Sequence, residues 1–229
     1  MKFGVVIFPG SNCDMDMVYV LESILEKEVV KLWHKDTDLQ ECDFIILPGG
    51  FSFGDYLRSG AIAKFSPIMK EIIGFANAGG FVMGICNGFQ ILCETGLLPG
   101  ALLHNTNHKF ICKNVHLKTI SEDTILTNMI GEKAIKIPIA HGEGRYLADE
   151  KAIEDLENND QILFKYCNEK GEVTVDSNPN GSIKNIAGVC NKDRNVFGMM
   201  PHPERASDIE LKSTNGRKLF ESILSKVIA

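Results

Sequence analysis

The chain has 229 residues, 44% of them hydrophobic, with 24 basic against 30 acidic side chains and a formal net charge of −6. That length fits one large domain or two small ones, and the apolar share supports a substantial core rather than disorder. The acidic balance weighs against a general nucleic-acid binder, which carries a basic stripe. No apolar run approaches the roughly 20 residues that span a bilayer.

Residues 2–8 read as a buried first strand, too short for a signal peptide. Residues 14–26 carry Val18, Leu21, Ile24 and Leu25 at helical spacing. Short apolar runs at 29–33 and 43–48 predict strands, the second stopped by Pro48-Gly49-Gly50. The spacing of Ile62, Phe65, Ile68, Met69, Ile72, Ile73 and Phe75 predicts a helix over 60–78. A strand at 81–85 and a helix after Cys86 follow. These repeated strand–helix units predict an α/β fold, a single domain over 1–229 with a mostly parallel central sheet and helices on both faces. In such sheets ligands bind at the carboxyl ends of the strands, where Gly49-Gly50 and Cys86 both fall. The second half predicts strands at 109–119, 134–140, 161–167, 185–190 and 195–200. Asn178-Pro179-Asn180-Gly181-Ser182 is a turn cluster between two of them. A closing helix over about 214–228 presents Leu219, Phe220, Ile223, Leu224 and Val227 to the core.

Seven cysteines (Cys13, Cys42, Cys86, Cys93, Cys112, Cys167, Cys190) make an odd count with no C-x-x-C pair. This argues against a zinc site and a disulfide framework, and for the reducing cytoplasm. Cys86 stands apart. Phe81-Val82-Met83-Gly84-Ile85 is an apolar strand, and Asn87-Gly88 opens a helix, so Cys86 sits on a sharp strand-to-helix turn. That is the nucleophile-elbow arrangement with cysteine in place of serine, at a helix N-terminus that favours a thiolate. It points to acyl transfer through a thioester.

A thiol nucleophile needs a base, and the base needs an orienting group. His202 follows the strand ending at Met200, two prolines restrict the backbone around it, and Glu204 is within reach of its ring. The expected triad is Cys86 as nucleophile, His202 as base and then acid, and Glu204 as orienter. A tetrahedral oxyanion needs backbone N–H donors, which Gly50 and Asn87 can supply. The Gly-rich segments match neither G-x-G-x-x-G nor the phosphate-loop pattern. His141-Gly142-Glu143-Gly144 is a further polar corner after a strand.

Pro48-Gly49-Gly50, Gly84-Ile85-Cys86-Asn87-Gly88 and His202-Pro203-Glu204, in this order, resemble the class I glutamine amidotransferase family with its Cys-His-Glu triad. Phe8-Pro9-Gly10-Ser11-Asn12-Cys13-Asp14, the run Pro138–Tyr146, Asn178–Ser182 and the run Asn195–Arg205 extend the resemblance from first strand to last helix. They sharpen it to a branch whose members serve a separate ATP-dependent synthetase of purine biosynthesis. The resemblance implies a flavodoxin-like fold. It implies hydrolysis of L-glutamine to glutamate and ammonia on Cys86, and assembly with a large synthetase subunit and a small accessory subunit. It implies no cofactor or metal in this chain, with ATP and Mg on the synthetase. Gln90, His141 and Gly142 match positions that face the glutamine. Many relatives carry a basic residue near position 104 or 106, where this chain has His104 and Thr106, and the segment 104–109 is expected to face the partner.

Rival readings are a cysteine peptidase or γ-glutamyl hydrolase on a similar fold, a sister amidotransferase subunit, and a scaffold that only binds its partner. A peptidase of the related superfamily places its histidine directly behind the cysteine, where this chain has Asn87. A scaffold would have lost the cysteine or the histidine.

Overall fold

A computed structural model describes residues 1–225, which divide into two compact units: Met1–Pro99 with Asp193–Gly198, and Gly100–Lys192 with Met199 onward. The N-terminal apolar runs build the first. Its elements are β1 (Lys2–Ile7), α1 (Asp14–Tyr19), β2 (Glu28–Trp33), β3 (Phe44–Leu47), α2 (Pro67–Asn77), β4 (Phe81–Ile85) and α3 (Asn87–Glu94). A π-helical turn over Val20–Ile24 continues α1. The strands run β2-β1-β3-β4, every pair parallel, with Leu47 of β3 opposite Gly84 of β4. All four residues of β3 are buried, as expected of a strand covered on both faces. Phe44 stacks on Phe81 at 6.0 Å between ring centroids and meets Phe3 at 5.6 Å, so one aromatic row ties β1, β3 and β4 together.

The helix expected over 60–78 begins only at Pro67. Ser66 is extended (ψ 139°), because a residue before proline is driven out of the helical region, and only a short 3-10 turn over Ala63–Phe65 precedes it.

The second unit contains β5 (Ala101–Leu103), β6 (Ile111–Thr119), β7 (Ile135–His141), β8 (Arg145–Leu147), α4 (Glu150–Asn158), β9 (Ile162–Cys167) and β10 (Ile186–Cys190). Its strands run β10-β9-β6-β7, all antiparallel, beside a β5-β8 ribbon. Along β7 the buried positions alternate through Ile135, Ile137, Ile139 and His141, so the strand period places the histidine on the core side. Pro138 is tolerated in β7 because within this unit the strand pairs on one side only. Asp149 caps α4, accepting from the Ala152 N–H at 2.8 Å.

β11 (Val196–Met199) begins in the first unit. The Val82 N–H donates to the Asn195 carbonyl at 2.8 Å, and the Asn195 side-chain amide donates to the Ala76 and Gly80 carbonyls at 2.7 and 2.8 Å. In the second unit α5 (Arg217–Ser225) buries Leu219, Phe220 and Ile223, with Leu224 half-buried. Val227 lies outside the described residues. None of the seven cysteines is in a disulfide. The α/β class expected from the sequence is the one found. The parallel sheet belongs to the first unit, and the second adds antiparallel strands.

Candidate active site

The first unit carries Cys86, Gly50, Asn87 and Gln90. Cys86 has φ 52° and ψ −106°, a conformation that costs a non-glycine residue about 1–3 kcal/mol. Two close approaches surround it. A Cβ on Gly84 would lie 2.5 Å from the Gly88 carbonyl oxygen, and a Cβ on Gly88 would run into the carbonyl of Leu47 at the end of β3. G-x-C-x-G is therefore a packing requirement: the first turn of α3 sits directly against the strand ends. The fold holds a buried thiol on a sharp turn at the start of a helix, as the sequence predicted.

Strand order reverses between β1 and β3, the place where open α/β sheets bind ligands. The loops leaving these two strands bind each other. The Phe51 N–H donates to the Gly10 carbonyl at 2.8 Å, Phe53 N–H to Pro9 at 2.6 Å and Cys13 N–H to Gly49 at 3.3 Å. Gly50 has φ 129°, and a side chain there would collide with the Gly10–Asn12 backbone. Phe53, Gly54 and Asp55 follow with positive φ.

The Asn87 side chain joins this loop to the elbow. Its Oδ1 accepts from the Ser52 N–H at 3.1 Å, and its Nδ2 donates to Asp55 Oδ1 at 3.1 Å and Gln90 Oε1 at 2.9 Å. Sequence reasoning assigned Asn87 only a backbone role. Gln90 is buried, its side-chain oxygen turned toward Asn87.

The second unit carries His202, Glu204, His141 and Gly142. His202 Nδ1 lies 2.6 Å from Glu204 Oε1, with both side chains 1% exposed. An ionised carboxylate only accepts, so Nδ1 carries a proton and donates it to Glu204. The His202 N–H donates to the Pro138 carbonyl of β7 at 2.8 Å. Glu204 lies in a 3-10 turn over Pro203–Ala206, closed by the Ser207 hydroxyl on the Pro203 carbonyl at 2.7 Å.

His141 is 3% exposed. Burial, and then the charge of His202, push its pKa down to about 4. Asn105, fully buried, organises this corner. Its Nδ2 donates to the Lys109 and His141 carbonyls at 2.8 and 2.9 Å, and its Oδ1 faces the Gly144 N–H and His141 Nδ1, each at 3.1 Å. The two carbonyls fix the amide orientation, so His141 donates through Nδ1 and stays neutral. The Gly142 carbonyl accepts from the Asn105 N–H at 2.9 Å. A Cβ at Gly144 would enter the His141 ring. The turn cluster braces the same corner: Asn180 Nδ2 donates to the Gly144 carbonyl at 2.8 Å, and Ser182 Oγ accepts from the Tyr146 N–H at 3.0 Å. Sequence reasoning missed Asn105, whose neighbours His104 and Thr106 drew the attention. His104 is exposed, 3.4 Å from the Glu143 carboxylate.

Chemically, the first unit offers a buried thiol on a strained turn at the start of a helix. The second offers an imidazole–carboxylate pair and a neutral buried histidine.

The model of the CobB/CobQ-like glutamine amidotransferase domain matches residues 1–224. Phosphoribosylformylglycinamidine synthase subunit PurQ of Koribacter versatilis is 53% identical, the match covering 98% of this chain and 97% of that protein. The subunit of the same name from Synechocystis sp. is 56% identical over 96% of this chain and 99% of its own. A chain in the structure of PurLQS from Thermotoga maritima superposes with a TM-score of 0.84 at 44% identity, covering 99% of this chain and 98% of that one.

Proposed function

The chain belongs to the CobB/CobQ-like glutamine amidotransferase family, and on that premise we propose that it is the glutaminase subunit of a phosphoribosylformylglycinamidine synthase. One family model runs through both units, and we take 1–229 as a single type 1 amidotransferase domain. The observation that carries the reading is the Cys86 backbone: a positive φ at a cysteine, between two glycines that leave no room for a Cβ. Backbone strain of this kind clusters at active sites, where it is part of the mechanism.

In the proposed reaction the Cys86 sulfur attacks the side-chain amide carbon of L-glutamine as His202 Nε2 takes the thiol proton. Backbone N–H groups of Gly50 and Asn87 hold the oxyanion. The C–N bond breaks, the nitrogen leaves as ammonia with the proton from His202, and a γ-glutamyl thioester remains. Water, deprotonated by His202, then releases glutamate. Glu204 keeps the ring in the tautomer that places the proton on Nδ1. Gln90, His141 and Gly142 line the glutamine side of the site.

Ammonia passes to a large synthetase subunit, where ATP and Mg activate formylglycinamide ribonucleotide for conversion to the amidine, with a small accessory subunit completing the complex. The chain itself takes no cofactor or metal and binds neither nucleic acid nor membrane. Among the described residues no helix is long and apolar enough to cross a membrane. We place the protein in the cytoplasm, where this chemistry and its thiols belong.

The test is glutamate release from glutamine, by the chain alone and mixed with the synthetase and accessory subunits, ATP and the ribonucleotide. Release should rise on mixing and vanish in Cys86→Ala, while ammonia-dependent synthesis by the mutant complex continues. Loss of ammonia-dependent synthesis as well would make Cys86 structural. No release in any mixture would leave a scaffold.

A further inference from the structure

We propose that the Asn87 side chain is a positioning residue of this reaction: it fixes the Ser52–Asp55 loop, and with it the Gly50 oxyanion donor, against the Cys86 elbow. The inference rests on the glutaminase reading above and adds a role for the side chain to the backbone role already given.

The side chain is 0% exposed, and its amide makes three hydrogen bonds at 2.9–3.1 Å. Its orientation is fixed. The Ser52 N–H can only donate, so Oδ1 faces it, and the Asp55 carboxylate can only accept when ionised, so Nδ2 faces it. A position serving packing alone at the start of α3 would suit an apolar side chain, because burying an amide is unfavourable unless every group is paired.

What the amide holds is a segment that needs holding. Phe53, Gly54 and Asp55 have φ of 55°, 68° and 52°, and Phe51, the residue after Gly50, is about half exposed. On one side the Phe53 N–H is tied to Pro9, and the Phe53 ring meets the His34 ring edge-on at 5.3 Å. On the elbow side Asn87 tethers it twice, once to the backbone next to Phe51 and once to Asp55. Because β3 and β4 are paired in register, this loop leaves the sheet beside the elbow. Without the clamp the loop loses these two tethers to the elbow and keeps those to Pro9 and His34. An oxyanion donor works only when its N–H is already aimed at the position the oxygen will take.

The test uses the full chain assembled with its synthetase partners. Asn87→Asp keeps the acceptor for Ser52 but sets a carboxylate oxygen against Asp55 Oδ1 and Gln90 Oε1. The expected result is a fall in kcat for glutamate release of about 10–100-fold, with KM for glutamine within about two-fold. Alkylation of Cys86 by iodoacetamide should continue at the wild-type rate, because displacement at a saturated carbon builds no oxyanion. The double variant Asn87→Asp with Asp55→Asn exchanges donor and acceptor, and should recover most of the lost kcat. Asp55→Ala, a half-buried loop change that leaves the elbow untouched, should move kcat in the same direction by a smaller factor, and stands in if Asn87→Asp does not fold.

Unchanged kcat in Asn87→Asp, or in Asp55→Ala where it stands in, overturns the proposal. Loss of alkylation together with turnover also overturns it, since Asn87 would then shape the elbow rather than the loop. A wild-type complex whose Cys86 is alkylated normally but which releases no glutamate overturns the glutaminase reading itself.

Discussion

The two units position their reactive groups by opposite means. In the first, Cys86 is placed by backbone, through a strained φ and by Gly84, Gly88 and Gly50, which leave no space for another carbon. In the second, His202 and His141 are placed by side-chain polar groups: Glu204 on one ring, Asn105 on the other, with Asn180 and Ser182 behind. The lesson is an asymmetry of tolerance. The glycines packed around Cys86 should fail when atoms are added, the histidine corner of the second unit when hydrogen-bonding groups are removed or exchanged.

Glu204→Gln is the largest expected effect. It preserves the volume but offers a donor or a neutral acceptor where the imidazole needs a carboxylate, so the tautomer and the forming imidazolium both lose support. Loss of such an orienter elsewhere costs about 10⁴-fold in kcat, and a drop of about 10³–10⁴-fold is expected in single-turnover acylation, with complex assembly unchanged. An unaltered rate would remove Glu204 from the mechanism and leave its pairing with His202 a matter of folding. Next comes Asn105→Ala. It strands the buried Gly144 N–H and the carbonyls of Lys109 and His141, and should destabilise the protein by about 3–5 kcal/mol, read from urea unfolding. A loss under about 1 kcal/mol would mean that water replaces the amide, and the contrast between units would weaken.

His141 gives the second unit a pH dependence of definite sign. Folded, it stays neutral down to about pH 4; unfolded, it takes a proton near its ordinary 6.5. Between these values the unfolded chain binds more protons, so stability rises with pH through the window. It is fully present above about pH 6.5 and is lost as the pH falls toward 4, by at most about 3 kcal/mol. Unfolding midpoints across that range should show the slope, and His141→Gln should flatten it. An identical slope in the variant would assign the effect to other groups.

This asymmetry also explains what the sequence could and could not disclose. The elbow was legible because G-x-C-x-G between an apolar strand and a helix is a local pattern, and its geometry is local too. His202 and Glu204 were legible because they lie two positions apart and two prolines stiffen the turn. Asn105 and the Asn87 side chain were not. Their partners lie far along the chain, Asn105 from His141 by 36 residues and Asn87 from Ser52 by 35. Nothing in a buried asparagine's neighbours announces a network. The same limit hid the antiparallel pairing of β6, β7 and β9, which depends on contacts across the chain. Helix α4 was missed because only Ile153 and Leu156 of its nine residues are buried, too few to set a period. In the helix expected from residue 60, apolar spacing outweighed Pro67, the residue that sets its start.

Two glycines of the first unit bring the contrast down to a single methyl group. Gly88→Ala drives a Cβ into the Leu47 carbonyl, which β3 holds in place, and should cost about 2 kcal/mol along with the elbow geometry and hence turnover. Gly74 lies inside α2, its φ is not positive, and a Cβ there meets nothing within 4 Å. Gly74→Ala should therefore stabilise by about 0.5–1 kcal/mol, since alanine loses less backbone freedom on folding and suits a helix interior better. Activity should stay at the wild-type level. The same methyl group then has opposite signs at two positions of one unit, and the local space alone decides which. A Gly74→Ala chain that melted earlier than wild type would show that α2 needs the bare position for a contact made only in the assembled complex or during folding. The rule of added atoms would then extend beyond the elbow.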